Sequence, residues 1–168
     1  KATIPFGAGS AADVVPRPVF ERISAELGPP IVIENRAGAG GALGSALVAK
    51  ADPDGYSILA QSSALAISPA IFPSATFDPT RDLASVLMLG SSANVMIVPN
   101  ARPWKTIQDF IADAKAKPGS ISFGSVGLGS AVHITTEKSR FAAGIEATHM
   151  PSRSGPEVIT DIISGRID

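Results

Sequence analysis

No cysteine occurs anywhere in the 168 residues, which removes disulfides, thiolate metal sites and thiol nucleophiles at once. It leaves the compartment open, since exported bacterial proteins also do without cysteine. Charge is sparse: 17% of residues are charged and the formal net charge is -1. The basic excess that nucleic-acid binders gather on one face is missing, so no nucleic-acid partner is expected. No apolar run reaches the roughly 18 residues of a membrane span. Hydrophobic residues make up 45% of the chain, enough to bury a core, and disorder needs the opposite balance of low hydrophobicity and high net charge. The opening Lys1-Ala2-Thr3-Ile4-Pro5 carries no signal peptide and reads as the end of a strand. The chain is therefore expected to begin inside a domain, with any targeting sequence upstream.

Catalytic signatures are also missing. Gly38-Ala39-Gly40-Gly41-Ala42-Leu43-Gly44 approaches a dinucleotide fingerprint, but the third required glycine falls at Leu43. There is no phosphate loop ending in Gly-Lys-Ser/Thr and no Gly-x-Ser-x-Gly elbow, and the two histidines, His133 and His149, lack a zinc-protease context. No cofactor and no metal are expected. A hydrolytic triad would have to be assembled from distant residues, and nothing in the pattern points to one.

What is present is an alternation of strand and helix signals, the pattern of an α/β protein with mostly parallel sheets. Short apolar, branched runs at 31–34, 56–60, 86–89, 94–98, 121–123 and 145–149 predict strands. Val19, Phe20, Ile23 and Leu27 share one helical face, which Gly28-Pro29-Pro30 terminates. Thr106 and Asp109 form a capping box ahead of the stripe Ile107, Phe110, Ile111 and Ala114, and Lys117-Pro118-Gly119 ends that helix. Ser154-Gly155-Pro156-Glu157 repeats the cap before Val158, Ile159, Ile162 and Ile163. The small residues Gly90 to Asn94 mark a boundary, either a hinge between lobes or a plain surface turn. The expected organisation is a first α/β lobe over 1–93 and the start of a second over 94–168.

Small residues gather where strands hand over to helices: Pro5 to Asp13, Gln61 to Ala64, and Gly124 to Ser130. In a parallel sheet these junctions share the edge where ligands bind. Helix starts there offer free N–H groups and a partial positive charge, glycine admits close approach, and serine adds a hydroxyl, a set suited to a carboxylate. Asp13 reads as a helix N-cap or, second, as a ligand contact, with Pro16 among the first N–H groups and Pro18 deeper, where it should cost a backbone bond or tighten the turn. His133 either faces the site or packs at a helix start, and His149 has less claim. Arg36 and Arg153 are the best cations for a ligand carboxylate, or else surface or lobe-bridging charges. If Gly129 has ordinary backbone angles, valine there should block ligand approach with little loss of stability.

Specific words then narrow the reading. Pro5-Phe6-Gly7-Ala8-Gly9-Ser10-Ala11-Ala12-Asp13 resembles the opening pocket loop of the substrate-binding proteins of tripartite tricarboxylate transporters, the Bug family. Val32-Ile33-Glu34-Asn35-Arg36-Ala37-Gly38-Ala39-Gly40-Gly41 is similar to that family's most recognisable segment, and Ala51-Asp52-Pro53-Asp54-Gly55-Tyr56 follows at the expected distance. Ser125-Val126-Gly127-Leu128-Gly129-Ser130, followed by His133, resembles the second-lobe pocket loop, and Ile162-Ile163 with Gly165-Arg166-Ile167-Asp168 a later landmark. The resemblance is collinear over essentially the whole chain.

It implies a class II periplasmic-binding-protein-like fold: two α/β lobes with a hinge, a small acid in the cleft, and a loaded protein that docks on membrane permease subunits. Carried over, the first lobe contributes Ala8, Gly9, Ser10, Asp13, Ser62 and Ser63, and the second Ser125, Gly127, Gly129 and Ser130. Gly9-Ser10 replaces the usual Gly-Gly, and Ser152 stands where the family commonly has tyrosine. The chain ends before the rest of the second lobe and the return segment, so it is expected to be a fragment of a longer, periplasmic protein, able to pair with itself through exposed sheet edges. The leading expectation is capture of a small carboxylate for uptake. A receptor that presents its ligand to a sensor kinase, and a carboxylate-processing hydrolase, are the alternatives.

Overall fold

In the computed structural model, which describes residues 1–73 and 75–168, two parallel sheets form the frame. The first has order β2-β1-β3, from β1 (Ala2–Ile4), β2 (Ile33–Asn35) and β3 (Ile58–Leu59). The second pairs β4 (Ile121–Ser125) with β5 (Ala147–Pro151), in register from Ile121 opposite Ala147 to Ser125 opposite Pro151. Parallel neighbours need crossovers. These are supplied by α1 (Ala11–Val14), α2 (Pro16–Leu27), a short 3-10 turn (Ala39–Gly41) leading into α3 (Ala42–Ala49), and α6 (Ala131–Ala143). The remaining helices are α4 (Ala64–Ile71), α5 (Ile107–Ala116) and α7 (Gly155–Ile163). The expected α/β class is what the chain adopts.

Each sheet has its own core. Ala2 and Ile4 of the central strand are fully buried and pack with Phe20 of α2 and Ala60. Trp104, Ala114, Ile121 and Ile145 make the second cluster, with Trp104 edge-on to Phe110. The helix stripes are only partly used: Phe20 and Ile162 are buried, whereas Leu27 is 73% and Ile163 80% exposed. Leu27 stands in the last turn, which Gly28 ends with a φ of 91°. Pro18 also departs from expectation. It is the third residue of α2, among N–H groups that have no intrahelical acceptor to lose.

Two predicted strands do not form. Residues 83–99 carry no regular element, so the runs at 86–89 and 94–98 are not strands. Val86, Met88 and Val95 are 87%, 83% and 79% exposed, and no strand among the described residues runs alongside to take their backbone groups. An apolar run becomes a strand only where a partner completes its ladder.

Candidate functional site

The strand-to-helix turns of both sheets converge. The Gly7 N–H donates to the Arg153 carbonyl at 3.3 Å, tying the turn after β1 to the turn after β5. A Cβ at Gly9 would meet Pro156 at 3.1 Å, and one at Gly40 would collide with the Leu128 carbonyl. Gly40 lies in a run with positive φ at Gly38, Ala39, Gly40 and Gly41. Only glycine combines that backbone with so close an approach. The glycine run that fell short of a dinucleotide fingerprint thus faces the Leu128–Gly129 backbone of the opposite turn. Sequence reasoning left it out of the site, although the unbroken Gly38-Ala39-Gly40-Gly41 was the available signal.

In the first turn, Ser10 is the N-cap of α1 and Asp13 is the third helical residue, which corrects the reading of Asp13 as a cap. The Asp13 carboxylate is buried and accepts from Gly9 N–H (2.9 Å), Arg17 Nε and Nη2 (3.1 and 2.7 Å) and Asn35 Nδ2 (2.8 Å). Burial pushes its carboxyl up, but the bonds from Arg17, Asn35 and Gly9 outweigh that and hold it at about 2. Asn35 also donates to the Phe6 carbonyl, so β2 and the turn share one network. The Ser10 Oγ is buried, makes no capping bond and has no hydrogen-bond partner among the described residues. Ala8 is exposed. Ser62 Oγ accepts from Ala64 N–H at 3.3 Å, and Ser63 caps α4 without a side-chain bond. Gln61, not singled out from sequence, orients this third turn: its Oε1 accepts from Ser62 N–H (2.8 Å) and its Nε2 donates to Ser45 Oγ (3.2 Å).

In the second turn, Ser125, Gly129 and Ser130 are buried, and Gly127 and Gly129 have φ of 113° and 79°. The positive φ fails the condition of ordinary backbone angles on which tolerance of valine at Gly129 rested, and a Cβ there would also meet Phe72 at 3.0 Å. Several amides already have acceptors: Gly127 N–H goes to Ser125 Oγ, Gly129 N–H to His133 Nδ1, and Ser130 N–H to the Gly127 carbonyl. The Ser130 side chain caps α6 by accepting from His133 N–H at 3.2 Å. Ala131 and Val132 open α6 with N–H groups that have no intrahelical acceptor.

His133 is buried at the helix start, and His149 lies beside it with ring centroids 4.2 Å apart. His149, ranked lower from sequence, stacks on Phe123 at 4.9 Å and holds Ser125 Oγ with Nε2 at 2.6 Å. Burial, then the neighbouring His133, push the His149 imidazole below its usual 6.5, against the opposing pull of Glu137. Arg36 is paired with Glu34 on the surface, and the Arg153 side chain is exposed. Among the described residues no cluster of three or more His, Asp or Glu side chains could hold a metal ion, and no helix is long and apolar enough to cross a membrane.

Comparison with known proteins bears on this geometry directly. Residues 15–168 match the model of the tripartite tricarboxylate transporter family receptor. The chain belongs to that family. A curated relative, the UPF0065 protein in the tcbD-tcbE intergenic region of a Pseudomonas species, is 33% identical over 165 residues, covering 98% of this chain and 49% of the relative. A solved structure described as that of a periplasmic transporter superposes with a TM-score of 0.93 at 36% identity, over 99% of this chain and 56% of its own. Rpa4515 of R. palustris, solved with adipate, gives a TM-score of 0.93 at 27% identity and the same coverages. The chain thus spans about half the length of the relatives it matches. Its family is one of receptors rather than enzymes.

Proposed function

We propose that this chain carries the ligand-capturing turns of a periplasmic solute-binding receptor that takes up a small carboxylate for a tripartite tricarboxylate transporter. Residues 1–93 form its first lobe, 94–168 begin the second, and membrane permease subunits receive the loaded protein. The observation that carries the reading is the Ser10 hydroxyl, buried at a helix N-cap position with no partner among the described residues. Such a group costs about 1–3 kcal/mol unless an acceptor or donor meets it, and a ligand carboxylate supplies an acceptor. Adipate in the Rpa4515 structure supports the choice of ligand class.

Around Ser10, the contacts carried over from the family are Ala8, Gly9, Asp13, Ser62 and Ser63 on one side, and Ser125, Gly127, Gly129 and Ser130 on the other. The internal acceptors of the Gly127, Gly129 and Ser130 amides favour support of the turn for those groups. Ala131 and Val132, at the start of α6, then present the free N–H groups. The test is mass spectrometry of small molecules carried through purification of the intact protein, followed by calorimetric titration with adipate and malate. A bound carboxylate released unchanged is expected. Conversion of the carboxylate to product, or no affinity across a panel of mono-, di- and tricarboxylates, would overturn the proposal.

A further inference from the structure

We propose that His149 is a positioning residue for capture: through Ser125 it sets the backbone of the Gly127 turn, and its protonation is coupled to arrival of an anion there. The inference rests on the carboxylate reading above. Ser125 Oγ has one hydrogen and three polar neighbours: His149 Nε2 at 2.6 Å, and the Gly127 N–H and carbonyl, each at 3.2 Å. When Nε2 is bare, the hydroxyl hydrogen goes to it, and the Gly127 carbonyl loses that donor. When Nε2 carries a proton, the imidazole donates, the hydroxyl turns to the Gly127 carbonyl, and Oγ still accepts from the Gly127 N–H. All three contacts are then satisfied together. The imidazolium form fixes this second arrangement, whereas the neutral ring divides between tautomers.

The surroundings define what the proton responds to. From α6, His133 and Glu137 face His149, and Glu137 is held by Arg140 at 2.7 Å. From β4 the neighbours are Phe123 and Ser125, which do not titrate. α7 meets β4 at Gly124 through Val158, while its carboxylates are engaged elsewhere, Glu157 with the Arg153 N–H and Asp161 with Arg166. The uncharged ring is therefore favoured in the empty site. A carboxylate at the Gly127–Ser130 turn supplies the missing opposite charge and draws a proton onto His149. By reciprocity, mild acid tightens capture.

The experiment uses the intact protein, adipate as probe, and H149Q, H149A and S125A variants. Glutamine keeps a donor near the Nε2 position but cannot titrate. Between about pH 8 and about pH 6 the wild type should bind adipate roughly 3–10-fold more tightly, with proton uptake seen as a dependence of binding heat on buffer ionisation. H149A should bind about tenfold more weakly, a loss of roughly 1.4 kcal/mol, and H149Q should recover most of that loss without the pH dependence. The ligand's own ionisation is common to all variants and cancels. H149A/S125A should bind no more weakly than S125A.

Without ligand, the Gly127 amide signal should titrate with the midpoint of the His149 ring in the wild type and not in S125A. An amide indifferent to His149, or a wild-type pH profile in H149Q, would sink the inference. If the amide follows His149 while no carboxylate binds, the carboxylate reading fails and the positioning role stands. Should H149A fail to fold, H149Q and the amide titration decide.

Discussion

At the end of β1 the turn Gly7–Ser10 is pinned by a carboxylate, and at the end of β4 the turn Gly127–Ser130 is pinned by an imidazole. The arrangement is otherwise the same. A serine stands at the N-cap, and the side chain three residues on reaches back to the amide just before the cap: Asp13 to Gly9 N–H, His133 to Gly129 N–H. Asp109 does this for Lys105 and Thr106, and Glu157 for Arg153. The third helical position is thus the anchor of every turn in the set. The Asp13 carboxylate, held by Arg17 and Asn35, stays charged far below neutrality. On the second turn, burial and then the neighbouring His133 push the His149 imidazole below its usual 6.5, so that side chain changes charge in a milder range than Asp13 does.

The sharpest way to break the comparison is D13A. It leaves the Asn35 amide and the Gly9 N–H without their acceptor and frees a half-exposed Arg17, so a loss of about 2–3 kcal/mol in a urea or thermal melt is expected. The Asp13 pKa is depressed from 3.8 to about 2 on folding, so its contribution is complete above 3.8 and fades as pH falls towards 2. His149 behaves oppositely in range but alike in sign: folding lowers its pKa below 6.5, so stability falls as pH drops through 6.5. Acid titration of D13A should lose only the lower step. A lower step that survives in D13A would mean other carboxylates carry it.

Next in size is G129V. Its φ of 79° is strained for any side chain and worst for a β-branched one, and Phe72 leaves no room, so about 2 kcal/mol of destabilisation is expected. Alanine should cost about half as much, and equal melts for G129V and wild type would contradict the described backbone.

How much of this was legible follows from how local each signal is. The caps at Thr106 and Ser154 were read correctly because the motif is complete within four residues. Ser10-Ala11-Ala12-Asp13 has the same spacing, but Pro16 signals a second helix start just behind it and makes Asp13 look like the cap; α1 and α2 in fact divide at Val15. Strands with a partner were found to within two residues, whereas Val86–Leu89 and Asn94–Val98 look alike in sequence and differ only in lacking a neighbour. The Ser125–His149 bond joins residues 24 apart through the parallel register of β4 and β5, and no spacing rule reveals it. Backbone sign at Gly129 was equally hidden, because glycine is permitted both hands.

The smallest expected effect is the most discriminating. Ser10 and Ser130 hold the same N-cap position, and both are buried, 6% and 0% exposed. Ser130 Oγ accepts from His133 N–H, so S130A should cost about 1 kcal/mol of stability, the usual worth of a cap. Ser10 Oγ accepts from nothing and donates to nothing within the described chain. Removing it deletes no bond and relieves an unmet hydroxyl, so S10A should leave the melt within about 0.5 kcal/mol of wild type. Its loss should appear in binding alone, as a roughly fivefold weaker affinity for adipate, or about 1 kcal/mol. Thermal melts and calorimetric titrations of the two variants side by side separate a serine that holds the turn from one that serves a ligand. If S10A destabilises as much as S130A and binds adipate unchanged, Ser10 is a cap like the other, and the first turn loses its claim on the ligand.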